Sequence, residues 1–275
     1  MEEFIFNCHT HIGDAFISLG KRKWTVEELV APPDGFKYRL MRESRKEIIV
    51  KGMKKAVSVM KKSGITHFCD FREGGVEGIN LLREVVRDRE GISAVILGRP
   101  SELDYSRTEM DEILEIADGI GLSSISDWEY DELKKVAVHT HKRKKLFAIH
   151  ASEAFREDID AVLGLKPSFL VHMSSASNSD IELVADEGVP VVVCPRSNAF
   201  FSIRPNIEGM IGYGIPLLLG TDNAMITSPD ITEEVEYLLK YFDVSREQAM
   251  EMITINPRKC LNVSADIHQS DGKDC

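Results

Sequence analysis

Short apolar runs recur along the chain, each followed by a stretch in which apolar residues return every three or four positions. Eight runs fit strands: FIFNCH, THFCDF, SAVILG, GIGLSS, LFAIHA, SFLVHM, PVVVCP and PLLLGT. A helical period marks the segments 51–62, 78–88, 109–117, 130–142, 154–163, 178–187, 207–213 and 231–242 between and after them. Strands this continuous are buried on both faces, and in alternation with helices they predict a parallel sheet. Eight such units predict a closed α/β barrel of the (β/α)8 type; an open, doubly wound sheet is the alternative.

Two segments break the rhythm. Residues 12–50 are polar and contain APPDGFKYRLM, where paired prolines and a glycine predict a turn rather than a helix. A connection of that length is expected to be a lid, a binding loop or a decorative insertion. After the eighth helix, SREQAMEMITINPRKCLNV predicts one more helix ended by Asn256-Pro257. The barrel domain is thus expected over 1–262, with a loose polar tail at 263–275.

Polar residues gather at one end of the strands. His9 and His11 close the first, His150 the fifth, His172 the sixth and Asp222 the eighth. In a (β/α)8 barrel that end is the rim that carries the active site. Side chains two apart on a strand point the same way, so His9 and His11 should both face the barrel axis, with Cys8 and Thr10 toward the helices. Imidazole and carboxylate groups converging on one rim are ordinary ligands for a divalent metal. The second His-Thr-His, at 139–141, lies in a segment of helical period, where alternate residues diverge and cannot share an ion. His67 is expected at the opposite end of the barrel and His268 in the tail.

Composition narrows the partners. The 275 residues carry a net charge of -11, which argues against nucleic acid or an anionic membrane surface as a partner, and the basic runs at 21–23 and 141–145 fit solvated faces. The start MEEFIF lacks the basic region of a signal peptide, and no apolar run approaches the ~18 residues of a membrane span, so a cytoplasmic protein acting on a small molecule is expected. A homo-oligomer is left open. The five cysteines have no paired short spacing and are expected to be reduced.

Taken in order, HTH on the first strand, HASE after the fifth, His172 on the sixth, CPRSN after the seventh and GTD on the eighth resemble the amidohydrolase superfamily across essentially the whole chain. The resemblance is closest to its mononuclear deaminases of amino-heterocycles, which pair a histidine and a glutamate three residues on (His150, Glu153) with a CP-x-SN stretch (Cys194 to Asn198). Two-metal members use a lysine or glutamate from the fourth strand, which GIGLSSISD does not supply at the expected place. The strand bearing His9 begins within a few residues of Met1, so a barrel without the N-terminal β-sandwich of many members is expected. Adenosine deaminases place a second aspartate where this chain has Asn223.

The resemblance implies one divalent metal ion, zinc with iron or manganese as alternatives, held by His9, His11, His150 and Asp222. It implies catalytic roles for Glu153 as proton carrier, His172 as an orienting group and Asp222 as a proton acceptor, and substrate contacts from Arg196, Ser197 and Asn198. Pro195 and Asn198 could equally serve a turn, and Glu153 could simply favour a helix N-terminus. Trp24, Phe36 and Tyr38 are candidates to stack on a flat substrate. The implied reaction is hydrolytic deamination of a purine or pyrimidine base or nucleoside. Alternatives within the same barrel are amide or phosphoester hydrolysis, or a metal-binding barrel without activity.

Overall fold

All eight apolar runs form strands. The computed structural model describes residues 4–87 and 89–261. Its strands are β1 (Phe6–His11), β2 (His67–Arg72), β3 (Ser93–Gly98), β4 (Gly119–Leu122), β5 (Leu146–Ala151), β6 (Phe169–His172), β7 (Val191–Val193), β8 (Leu217–Leu219) and the short β9 (Asp222–Asn223). Neighbours run parallel in the order β8-β7-β6-β5-β4-β3-β2-β1-β9.

β8 and β9 are one strand interrupted at Gly220 and Thr221. Gly220 N still donates to Val193 O of β7 at 3.0 Å, whereas Thr221 N donates to His9 O of β1 at 3.1 Å. The ring closes through β9. Lower down, Met252 and Ile253 fill the seam: their carbonyls accept from Leu219 N at 3.2 Å and Phe6 N at 2.8 Å. A barrel has no exposed edge, and here two residues of the C-terminal segment complete it.

Helices alternate with the strands. Between β1 and β2 lie α1 (Val26–Val30), α2 (Phe36–Glu43) and α3 (Lys46–Lys62); α4 (Gly75–Val86), α5 (Arg107–Ile116), α6 (Tyr130–Lys142), α7 (Ile159–Gly164) and α8 (Asn178–Asp186) follow β2 to β6 in turn. α9 (Pro195–Phe200) and α10 (Ile207–Gly212) follow β7, and α11 (Ile231–Tyr241), α12 (Arg246–Glu251) and α13 (Ile255–Cys260) follow β9. On α3 the buried residues Ile49, Gly52, Met53, Ala56, Val57 and Met60 form the three-and-four stripe that packs on the sheet. Among the described residues, no helix is long and apolar enough to cross a membrane.

Three expectations need correction. The turn at PPDG is present, but FKYRLMRE after it is helix α2, because Gly35 opens the chain into a turn that Phe36 can continue. The helix expected from 154 begins only at Ile159. Asp158 caps it by accepting from Ala161 N at 3.0 Å, and Glu157 holds the preceding loop by accepting from Ser152 N at 2.7 Å. The single C-terminal helix is two, α12 and α13, with Pro257 inside the first turn of α13, where its missing N–H costs no helical bond. The expected tail at 263–275 lies outside the described residues.

The barrel interior holds Phe6, Cys8, Cys69, Phe71, Leu97, Ala148, Phe169, Val171, Val192, Cys194 and Leu218. Cys8 therefore faces the axis, not the helices. The cause is a β-bulge: Asn7 pairs with Phe68 but Thr10 with Asp70, so β1 spends one extra residue across this interval. The bulge resets the alternation and lets Cys8 and His9 both turn inward, with His11 next.

Gly220 lies against that bulge. A Cβ there would stand 2.7 Å from His9 Cβ and 2.9 Å from His9 N and O. Gly220→Ala is expected to destabilise the fold by about 2 kcal/mol, read as a lower urea midpoint at unchanged slope. An unchanged midpoint would show that β1 yields freely at this point.

Candidate active site

The register of the ring assembles the site. Thr10 pairs with Asp222 and His11 with Asn223, while His150 pairs with Val171 and Ala151 with His172, so residues remote in sequence arrive on one rim. His9 Nε2 lies 3.2 Å from His150 Nε2 and 3.3 Å from Asp222 Oδ1. His11 Nε2 is 3.4 Å from His150 Nε2 and 3.6 Å from the same Asp222 oxygen.

The surroundings fix each donor. His150 Nδ1 donates to Leu122 O at 2.7 Å, and His11 Nδ1 faces Phe71 O at 3.1 Å and Glu73 Oε1 at 2.8 Å. With Nδ1 engaged as donor, each Nε2 presents a lone pair. Asp222 Oδ2 accepts from Ser197 Oγ at 2.5 Å, and Oδ1 from Asn223 Nδ2 at 2.9 Å. Phe71 packs edge-on against His9 with ring centroids 4.4 Å apart. Gly121 of β4 makes room for that ring: a Cβ there would lie 2.5 Å from Phe71 Cδ1. His172 and Asp222 both adopt left-handed backbone, φ 77° and 62°, a strain of about 1–3 kcal/mol each that is typical of functional positions.

These residues fit a divalent cation. Three imidazole nitrogens and a carboxylate oxygen converge, and the Nε2 atoms of His11 and His150 and the Asp222 oxygen face one another as acceptors, with His9 Nε2 beside Asp222 Oδ1 at 3.3 Å. Zinc ligands at about 2.0–2.1 Å on a tetrahedron stand about 3.3–3.4 Å apart, and four of the separations among His9, His11, His150 and Asp222 lie close to this, at 3.2, 3.3, 3.4 and 3.6 Å. Glu153, His172 and Asp222 form an adjoining cluster that shares Asp222.

Electrostatics follow from burial. Burial lowers the proton affinity of His9, His150 and His172, and takes His11 to about 3 with help from the Lys37 charge. Burial also acts to raise Asp222, but its bond to His9 and the nearby imidazoles hold it well below the usual carboxylate range. Glu153 goes the other way: burial, then the charge of Asp222, raises it well above its ordinary value. Its Oε2 stands 3.6 Å from His172 Nε2, and Oε1 has no partner.

Glu73, Lys37 and Asn223 form a second layer that the sequence pattern did not mark. Glu73 binds His11, Arg72 and Lys37 together. Lys37, buried on α2, also donates to Asn223 Oδ1 at 2.9 Å. Glu73 follows β2 directly, so scoring the residue after every strand would have found it; Lys37 sits inside the long insertion and carried no such signal.

A cavity of about 470 Å³ opens onto the cluster, lined by His11, Lys37, Tyr38, Arg99, Asp127, His150, Glu153, Phe155, His172 and Asp222, and by residues 25–27 and 30–32 of the insertion. Arg196, Ser197 and Asn198 are not in its wall. Pro195 opens helix α9, which turns Arg196 onto Glu233 at 2.6 Å, Ser197 onto Asp222, and Asn198 onto Ser174 at 3.1 Å. Trp24 and Phe36 stack on one another at 4.9 Å in a small cluster of their own, leaving Tyr38 as the one of the three aromatic candidates that lines the cavity. The second His-Thr-His lies on α6 with its imidazoles apart: His139 bonds Tyr105 and Asp111, and His141 bonds Leu165 O.

A closed eight-unit barrel with this cluster on its C-terminal rim is an α/β barrel carrying a candidate metal centre. A model of the amidohydrolase family matches residues 4–267, and the chain belongs to that family. An uncharacterized protein of Methanocaldococcus jannaschii is 35% identical over 278 residues, covering 94% of this chain and 72% of that one. A 5-methylthioadenosine/S-adenosylhomocysteine deaminase of Caldicellulosiruptor saccharolyticus is 24% identical over 307 residues, covering 96% and 67%. Among solved structures, Helicobacter pylori aminofutalosine deaminase in complex with methylthio-coformycin superposes with a TM-score of 0.75 at 14% identity, covering 95% of this chain and 74% of that one. At that identity the likeness speaks for the fold.

The lowered histidines give a pH prediction. A depressed pKa means weaker proton binding in the folded chain, so protons compete poorly with metal between pH 7 and 5.5. Zinc affinity, read by competition with a chromophoric chelator, is expected to fall less than about tenfold over that range, whereas three ordinary imidazoles of pKa ~6.5 would lose several hundredfold. For the metal-free chain the same shifts act on stability: their contribution is full above pH 6.5 and is lost as pH falls toward about 3, where His11 titrates. Affinity that collapses by hundreds-fold would contradict the assigned ligand environment.

Proposed function

We propose that the protein is a hydrolytic deaminase that removes the exocyclic amino group of a purine or pyrimidine base or nucleoside, with a single zinc ion held by His9, His11, His150 and Asp222. The observation that carries this reading is Glu153. It is a buried carboxyl on the cavity wall, beside Asp222 and 3.6 Å from His172, with one oxygen unpartnered.

A cation in the ligand cluster supplies Lewis-acid activation of water. Glu153, kept protonated by burial and by the Asp222 charge, donates its proton to a ring nitrogen of the substrate. That makes the adjacent carbon electrophilic. Oxygen from water adds there, and Asp222, oriented by Ser197 and Asn223, receives a proton released in the addition. Glu153 regains a proton from the hydroxyl of the adduct as the carbonyl forms and delivers it to the amino group; the C–N bond breaks, ammonia leaves, and the proton held by Asp222 passes back to Glu153. His172 Nε2 stands 3.6 Å from the Glu153 carboxyl and faces the developing charge. The cavity, about 470 Å³, lies within the range of about 300–1,000 Å³ of small-molecule sites.

The deaminase named among the relatives and the one named among the structural neighbours support the same reading. The adjoining Glu153, His172 and Asp222 cluster could instead favour a two-metal hydrolase of amide or phosphoester bonds. Counting metal separates the two, with about one ion per chain expected.

Glu153→Gln is expected to lower ammonia release by at least about 10³-fold on whichever aminated purine, pyrimidine or pterin the native protein turns over, with metal content unchanged by elemental analysis. Turnover that survives the substitution would remove Glu153 from the mechanism.

A further inference from the structure

The buried cations around this cavity are of two kinds. Lys37 is paired with Glu73 and lies 3.9 Å from Asp14, and Arg72 is paired with Glu73 at 2.5 Å and lies 3.7 Å from Asp70. Arg99 is different. It directly follows β3, is only 7% exposed and lines the cavity. Its backbone is pinned, with Arg99 N donating to Arg72 O at 3.0 Å and Arg99 O accepting from Gly75 N at 3.2 Å.

The Arg99 guanidinium donates from Nη2 to Tyr38 Oη at 2.6 Å and sits 4.9 Å from the Tyr38 ring centroid. No carboxylate among the described residues lies within 4.0 Å of it; Glu73 and Asp127 act on it only from beyond contact. A guanidinium has five N–H donors, and a phenol serves one without neutralising the charge. Leaving such a group buried and unpaired is unfavourable by several kcal/mol. A purely structural arginine in this fold, such as Arg72, is given carboxylates. Arg99 is given an open cavity.

We propose that the substrate carries an oxyanion, a carboxylate or a phosphate, that seats against Arg99 at a point none of the four metal-ligand residues contacts. This deepens the deaminase reading, on which it rests for the identity of the reacting end. A planar guanidinium binds such a group through two parallel hydrogen bonds, so Arg99 selects anionic substrates over neutral ones of the same ring.

The test uses metal-loaded protein carrying Glu153→Gln, so that binding is measured without turnover. The probes are matched pairs: adenosine, guanosine and cytidine, each against its 5′-monophosphate, and pterin against pterin-6-carboxylic acid. Calorimetric titration is expected to show the anionic member of at least one pair binding about tenfold or more tighter. Adding Arg99→Gln should abolish that preference while the neutral member keeps its affinity within about twofold, and Arg99→Lys should retain part of it. Preference in a phosphate pair or in the pterin pair tells which oxyanion is meant.

The proposal is overturned if no anionic member is preferred, if none binds, or if the preference survives Arg99→Gln. Should Arg99→Gln not fold by circular dichroism, Arg99→Lys decides: an undiminished preference overturns it. Ammonia release by the native protein on the preferred compound is scored separately. Anion preference without ammonia keeps the Arg99 seat and rejects deamination.

Discussion

Three imidazole nitrogens and a carboxylate oxygen converge in a buried pocket, with neighbouring atoms 3.2 to 3.6 Å apart, and those of His11, His150 and Asp222 present lone pairs to one another. That convergence is unfavourable in itself, and the rest of the rim is built to maintain it. Nδ1 tethers on Leu122, Phe71 and Glu73 prevent His11 and His150 from rotating away. Ser197 and Asn223 hold both oxygens of Asp222, and the left-handed backbone at Asp222 and His172 aims their side chains inward. Pre-orientation of this kind sets the ligand geometry before a metal arrives, and a cation between the donors converts mutual repulsion into binding.

The cluster in turn depends on how the ring closes. His9 and Asp222 are separated by most of the chain, and they meet because β9 pairs with β1 one step after β8 has finished pairing with β7. The bulge between Asn7 and Thr10 is the other half of that geometry. Without the extra residue, strict alternation would give the axis to Phe6, Cys8 and Thr10, and both histidines would face the helices. The candidate metal site is therefore a property of one register shift and one strand break, each lying beside the tightly packed Gly220.

Much of this was legible in the sequence, for physical reasons that differ by element. Strands buried on both faces must be continuously apolar, so the eight runs announced themselves, and polar residues at the ends of such strands have few structural uses. The bulge had no marker: the sequence at Cys8 carries neither glycine nor proline, and the shift emerges only from packing against β2. Helix α2 was hidden behind PPDG because the turn and the helix adjoin without a polar cap. The CPRSN stretch was expected to contact substrate, and its side chains instead engage neighbouring protein groups outside the cavity wall. Proline at the start of α9 accompanies a turn in which Arg196 reaches Glu233 and Ser197 donates to Asp222.

The insertion between β1 and β2 is tied to the chemistry through one side chain. Lys37 leaves α2, reaches the floor of the cavity and contacts both Glu73, which orients His11, and Asn223, which orients Asp222. The same helix supplies Tyr38 to the cavity wall, and residues 25–27 and 30–32 form another part of that wall. A buried ammonium is stable only while its carboxylate and amide partners stay in place, and those partners are aligned only while the ammonium is present. Holding the wall down and holding the ligands in line are thus one equilibrium. Any contact that holds α2 in place is therefore coupled through Lys37 to the alignment of His11 and Asp222, and the coupling is reciprocal.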